Sequence, residues 1–350
     1  MENKKKVQKR SWFPLAGAVF VFILCFCILY LGENMGVSDN GDFRRVMLVN
    51  RLEYADDTDY YYLFKEHYNM EIQGNTHWER VKFLWGTSEE EHIYSSPHFV
   101  MIKISKLLNY LANCVSRRPE ETYHIGWLAV IYISMLSMAA WSIFNYFDDS
   151  SKRMKITIFA AFVLIFCDSG YILYFNSLYG EPLQYVTLMA MISTGLLIYK
   201  RPSIPKVICF YVFLYFFAGA KLANVVYSAV IACIGVIFIV LRKDKLFRIG
   251  VMCSAFVSVV LIFWMYTTIP DWMNNDTSYQ AVFYGITKDS PEPEKDLHFL
   301  GIDEKYAPLA NTHAYMQEDE YPMDIRSEEF KRDFYDKISK WKIEIGRAHV

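Results

Sequence analysis

Apolar residues in this chain gather into blocks about as long as a membrane crossing, separated by long polar stretches. A bilayer's hydrocarbon core of ~30 Å takes ~20 residues of helix. The run at 12–31 has that length, and so do the runs at 125–147, 156–175 and 183–199. The stretch 207–241 is too long for one crossing. Its one polar interruption is Gly219-Ala220-Lys221-Leu222-Ala223-Asn224, which predicts two helices meeting there. A last run at 249–268 brings the expectation to about seven helices.

Basic residues orient these runs. Lys4, Lys5, Lys6, Lys9 and Arg10 precede the first and place the N-terminus, residues 1–11, in the cytoplasm of a bacterial cell membrane. Lys152, Arg153 and Lys155, then Lys200, Arg201 and Lys206, then Arg242, Lys243, Lys245 and Arg248, mark further cytoplasmic ends. A cleaved signal peptide is the rival for 12–31. The run exceeds a usual signal core and no small-x-small cleavage site follows it.

The expected fold is therefore an all-α polytopic membrane protein, with a first span at 12–31 and six more within 125–268. Two extracytoplasmic regions, 32–124 and 269–343, are too long for structureless connections and rich in aromatics, so each is expected to fold. In the first, Phe99, Ile102, Leu107 and Leu111 recur amid Lys103 and Lys106. That pattern suits an amphipathic helix on the membrane surface, or a helix buried within the loop domain. The tail at 344–350, Glu344-Ile345-Gly346-Arg347-Ala348-His349-Val350, resembles a translated sequencing adapter. It is expected to be non-native, on a chain whose gene continues.

Composition agrees with the segmentation. Hydrophobic residues make up 53% and charged residues 21%, against about 25% charged in a soluble domain. Mean hydropathy is only +0.12 because the polar stretches dilute the apolar ones. A net charge of −2 excludes a nucleic-acid binder working through bulk positive charge. Six of the seven cysteines lie in apolar runs, where a thiol acts as a small hydrophobe; only Cys114 lies in a polar region. No cysteine or histidine spacing is zinc-like. His67, His77, His92, His98, His124, His298 and His313 are scattered and read as packing or hydrogen-bonding residues.

Candidate chemistry clusters at the ends of the apolar runs. Ser38-Asp39-Asn40-Gly41-Asp42-Phe43-Arg44-Arg45 follows the first. Its two carboxylates can converge across the Gly41 turn, as a general base, a divalent-cation site or a holder of a sugar hydroxyl. The alternative is a turn that caps a helix starting near Phe43. Asp168 lies inside the third run, and an intramembrane carboxylate is a functional hypothesis by default. Glu181 closes the turn Asn176-Ser177-Leu178-Tyr179-Gly180-Glu181-Pro182. Lys221, at the break, is the expected partner of Asp168 or of a lipid phosphate. Arg44, Arg45, Lys221 and Asn224 are of types that hold phosphate and sugar, since guanidinium binds phosphate bidentately and lysine acts as a point charge.

These stretches, 39–47, 171–182, 219–224 and 283–291, resemble GT-C glycosyltransferases, polytopic enzymes that take sugars from polyprenyl phosphates on the extracytoplasmic face. The closer likeness is to the Gram-positive glycan-biosynthesis hexose transferases of the WsfD type. The resemblance covers most of 32–323, while the further C-terminal helices of that family are missing here. It implies that Asp39 or Asp42 stands where the catalytic acidic residue belongs, and that a hexose passes from a polyprenyl-phosphate donor to a cell-surface glycan acceptor. Two other classes remain open: a glycan polymerase or ligase, and a polytopic transporter or flippase, which would show repeats and discontinuous helices.

Overall fold

The computed structural model describes residues 11–56, 63–86, 96–221 and 223–338. The lysines ahead of the first run, His92, Leu222 and the tail at 344–350 lie outside the described residues. The chain forms two compact units that divide between Thr268 and Ile269.

The first unit is a helical bundle with a domain built on one end, here called the loop end. Helix α1 (Phe13–Tyr30) starts at a proline in its first turn, where the missing N–H costs nothing. The chain then forms α2 (Phe43–Asn50), the short strands β1 (Leu52–Tyr54) and β2 (His67–Met70), and α3 (His77–Trp85). Thr76 and Glu79 close a capping box on α3. Helix α4 (Pro97–Ser116) and strand β3 (Thr122–His124) complete this domain. The strands pair antiparallel in the order β1-β2-β3, with Tyr68 opposite Tyr54 and Tyr123. An all-helical expectation misses this sheet because strands of three or four residues carry almost no periodic signal.

Helices α5 (Gly126–Tyr146), α6 (Lys152–Phe166), α7 (Ser169–Ile172, continuing as a 3-10 turn to Phe175), α8 (Glu181–Lys200), α9 (Ile204–Ala220), α10 (Asn224–Gly235, extended by a 3-10 turn to Leu241) and α11 (Lys245–Thr267) make up the rest of the bundle. Five of these helices, α1, α5, α8, extended α10 and α11, have the length and apolarity of a crossing. A sixth arises if α6 and α7, bent by 54°, count as one. Helix α9, apolar but only 17 residues long, is a shorter seventh beside these six. Large apolar side chains on α11, among them Ile249, Phe256, Val260 and Phe263, are exposed. That outward face belongs in lipid, where a helix satisfies its own backbone.

Helix α4 has one buried and one exposed face. Phe99, Ile102, Lys106, Asn109 and Tyr110 are buried while Leu111 and Val115 are exposed. Lys106 therefore sits on the face turned into the loop-end domain, opposite the exposed apolar face.

The second unit contains α12 (Asp271–Ala281), a π turn over Val282–Ile286, α13 (Pro293–Leu300) and α14 (Glu328–Phe330). Its core stacks Tyr279, Phe283, Leu297, Tyr306, Phe330 and Phe334. The Lys305 ammonium, 2.8 Å from Asp333, holds that carboxyl well below the usual carboxylate range.

Candidate functional site

The turn after α1 is built around Asp39, which is 5% exposed. Its Oδ1 accepts from the backbone N–H of Gly41 (2.7 Å) and of Phe43 (3.0 Å), and its Oδ2 accepts from the Tyr54 hydroxyl. Asp39 thus serves the free N–H groups at the start of α2, the capping alternative raised by its spacing. Gly41 adopts φ +103°, a left-handed conformation that favours glycine. Phe43 packs edge-on against Tyr179 with ring centroids 4.5 Å apart.

Tyr179 clamps this turn to the one that precedes α8. Its hydroxyl accepts from the Asn40 N–H (2.9 Å) and donates to the Ser38 carbonyl (3.1 Å). Asn176 adds a second tie, donating to the Met35 carbonyl and accepting from the Tyr30 hydroxyl, both at 2.7 Å. Burial pushes the Tyr179 hydroxyl up to about 12, and the carboxylates of Asp39, Asp42 and Glu181 add to the effect. It stays protonated and keeps its donor role throughout the neutral range.

Asp42 faces the other way. Its side chain is 52% exposed and pairs with Arg45 one turn along α2. Arg44 is exposed and, among the described residues, forms no ion pair. The two carboxylates therefore do not share one function in the fold: Asp39 is internal with both oxygens hydrogen-bonded, while Asp42 is at the surface and paired with Arg45.

Lys221 pairs with Glu181 and not with Asp168, the expected partner. Gly180 makes this possible. A Cβ at that position would overlap the Ala220 carbonyl oxygen, so glycine lets the start of α8 lie against the end of α9. Asp168 is exposed at the bend between α6 and α7, where its Oδ1 accepts from the Gly170 N–H at 2.8 Å. Capping its own helix takes that carboxylate away from the lysine. The other Glu181 oxygen, Oε2, is buried with no hydrogen-bond partner among the described residues.

Asn224 is buried and donates to the Phe217 carbonyl at 2.9 Å. It ties the break between α9 and α10 together. The Ser96 hydroxyl donates to the Gly219 carbonyl at 2.6 Å, and the Pro97 ring packs against Gly219. Helix α4 is thereby fastened to the same break.

A second cationic group lies in the loop-end domain. Lys106 is buried and donates to the Asn50 carbonyl. Burial, reinforced by Arg51 and Lys103, lowers its ammonium to about 7. Among the described residues, the Glu66, His67 and His124 side chains come together closely enough to hold a metal ion. Asp39 and Asp42 are not in that group.

Sequence reasoning did not single out Tyr54, Ser96 or Lys106. A hydroxyl or a lysine acquires its role here only from a partner far along the chain. Tyr179 was visible as part of the Asn-Ser-Leu-Tyr-Gly-Glu-Pro turn, though not as the clamp on Asp39's turn. No curated protein and no solved structure matches the chain significantly. The family model described as the YfdI N-terminal transmembrane domain matches residues 2–344. With its several membrane-crossing helices, this multi-pass membrane protein belongs to that family, a group of GT-C-like membrane glycosyltransferases.

Proposed function

We propose that the chain transfers a hexose from a polyprenyl-phosphate donor to a cell-surface glycan acceptor, with the loop end extracytoplasmic, as its resemblance to the WsfD-type transferases implies. The observation that carries this reading is the surface carboxylate of Asp42, paired with Arg45 at the head of a helix whose start is locked by Asp39. In the transfer, the acceptor oxygen attacks the anomeric carbon and the bond from that carbon to the phosphate oxygen breaks. The electron pair leaves with the polyprenyl phosphate, and the acceptor's proton passes to Asp42.

A phosphate leaving group already carries negative charge, so cations serve it better than an acid. Arg44 is the free guanidinium nearest in sequence to Asp42, and Arg45 and Lys221 are cations a phosphate could draw from their carboxylates. Asp39 is a positioning residue: it is buried, and both its oxygens are engaged inside the fold. A divalent cation, if the reaction uses one, would need oxygen ligands beyond Asp42.

The test is transfer of labelled hexose from a synthetic polyprenyl phosphate in proteoliposomes, comparing the unaltered protein with Asp42→Asn. Losing a general base costs roughly 10²–10⁴-fold in rate. Full activity in the variant would overturn this reading. A second reading, a lipid-linked sugar flippase, is favoured by the bent α6–α7 pair, since discontinuous helices are a transporter feature. Movement of labelled lipid across the bilayer without acceptor would support it.

A further inference from the structure

We infer that Glu66, His67 and His124 form a site for a zinc-class divalent metal ion at the loop end of the bundle. One ligand atom from each lies within 4.8 Å of the other two. The antiparallel register of β2 and β3 sets His67 directly opposite His124, with ring centroids 4.2 Å apart. Glu66 precedes β2, and its Oε2 is 3.9 Å from His67 Nε2. Zinc bonds to nitrogen at ~2.0–2.1 Å put tetrahedral ligands about 3.3 Å from one another. The exposed His67 side chain has room to turn toward the other two, which are half-buried.

Two further observations point to an ion and not to a simple cross-strand ring pair. Glu66 is already oriented: its Oε1 accepts from the Asn34 amide at 2.6 Å, leaving Oε2 turned to the histidine. Carboxylates that ligate metals are themselves held by such outer hydrogen bonds, the part Asn34 plays here. Glu66, His124 and Asn34 also line a cavity of about 330 Å³ that includes Arg118. Three protein ligands leave a fourth position for water or an anion, and this cavity has room for it. Two imidazoles and one carboxylate select zinc-like ions over calcium or magnesium, which prefer all-oxygen sites.

The ligands bridge separate parts of the fold. Asn34 lies just past α1, and His124 ends β3 two residues before α5 begins. An ion here would fasten the sheet to the helices that flank it. The site uses none of the residues proposed for sugar transfer.

The test is zinc titration of the detergent-solubilised chain by calorimetry, with cobalt as a spectroscopic substitute. One equivalent should bind and raise the melting temperature, because a ligand of the native state alone stabilises it. Cobalt should give d–d bands without a thiolate charge-transfer band. His67→Ala, at an exposed position, and the double variant with His124→Ala should lose the binding. Asn34→Ala should weaken it by roughly 10–100-fold. Absence of stoichiometric binding, equal affinity in the double variant, or a thiolate band tracing the ion to cysteine would each overturn the proposal.

Discussion

The Tyr54 hydroxyl donates to Asp39 Oδ2, so that the second oxygen of a carboxylate already capping α2 is also engaged inside the fold. This separates Asp39 from Asp42, three residues on, whose side chain reaches solvent and Arg45. The two substitutions should consequently fail in different ways.

Asp39→Ala removes a cap and leaves the Tyr54 hydroxyl without its acceptor. It should destabilise the chain by about 1–2 kcal/mol for the cap alone, visible as a lower melting temperature in detergent. Asp42→Asn should leave the melting temperature within the range of a surface change, about 0.5 kcal/mol, while transfer collapses. A melting temperature that falls for Asp42→Asn and stays for Asp39→Ala would reverse the assignment.

Gly180→Ala should be more damaging than its size suggests. The added methyl would meet the Ala220 carbonyl oxygen, forcing α8 and α9 apart at the Glu181–Lys221 pair. Overpacking of this kind costs about 1–3 kcal/mol. Gly195→Ala is the control, since a Cβ there meets open space; thermal unfolding of the two variants side by side decides it.

Lys106 gives the fold a pH dependence of definite sign. Burial lowers its ammonium to about 7, against ~10.4 for an unfolded lysine. Between those values the unfolded chain binds the proton more strongly, so this group makes stability rise with pH across that window and be lowest below it. Replacing it by Lys106→Met should raise the melting temperature most at pH ~6, with the advantage shrinking by pH ~9 as the native lysine becomes neutral. An advantage independent of pH would show that the buried charge is not what the substitution relieves.

Orientation is checked directly by fusion reporters. One placed after Asn75 and another after Asp296 should both report an extracytoplasmic position. A cytoplasmic signal at either would overturn the span count.

The spans were legible in the sequence because crossing a bilayer is set by the length and apolarity of one contiguous segment, and α1, α5, α8 and α11 fall close to the runs that predict them. The break at 219–224 was legible for a related reason: glycine and a charge interrupt an otherwise apolar stretch, and α9 ends at Ala220. The site was legible only as a set of residue types. Which carboxylate is buried depends on Tyr54 reaching Asp39; which partner Lys221 takes depends on Gly180 admitting Ala220. The histidines looked unrelated along the chain, and the register of β2 with β3 alone brings His67 and His124 together. Hydrophobic length is a property of neighbours in sequence, whereas ion pairs, caps and metal ligands depend on distances of a few ångströms that only the packed chain decides.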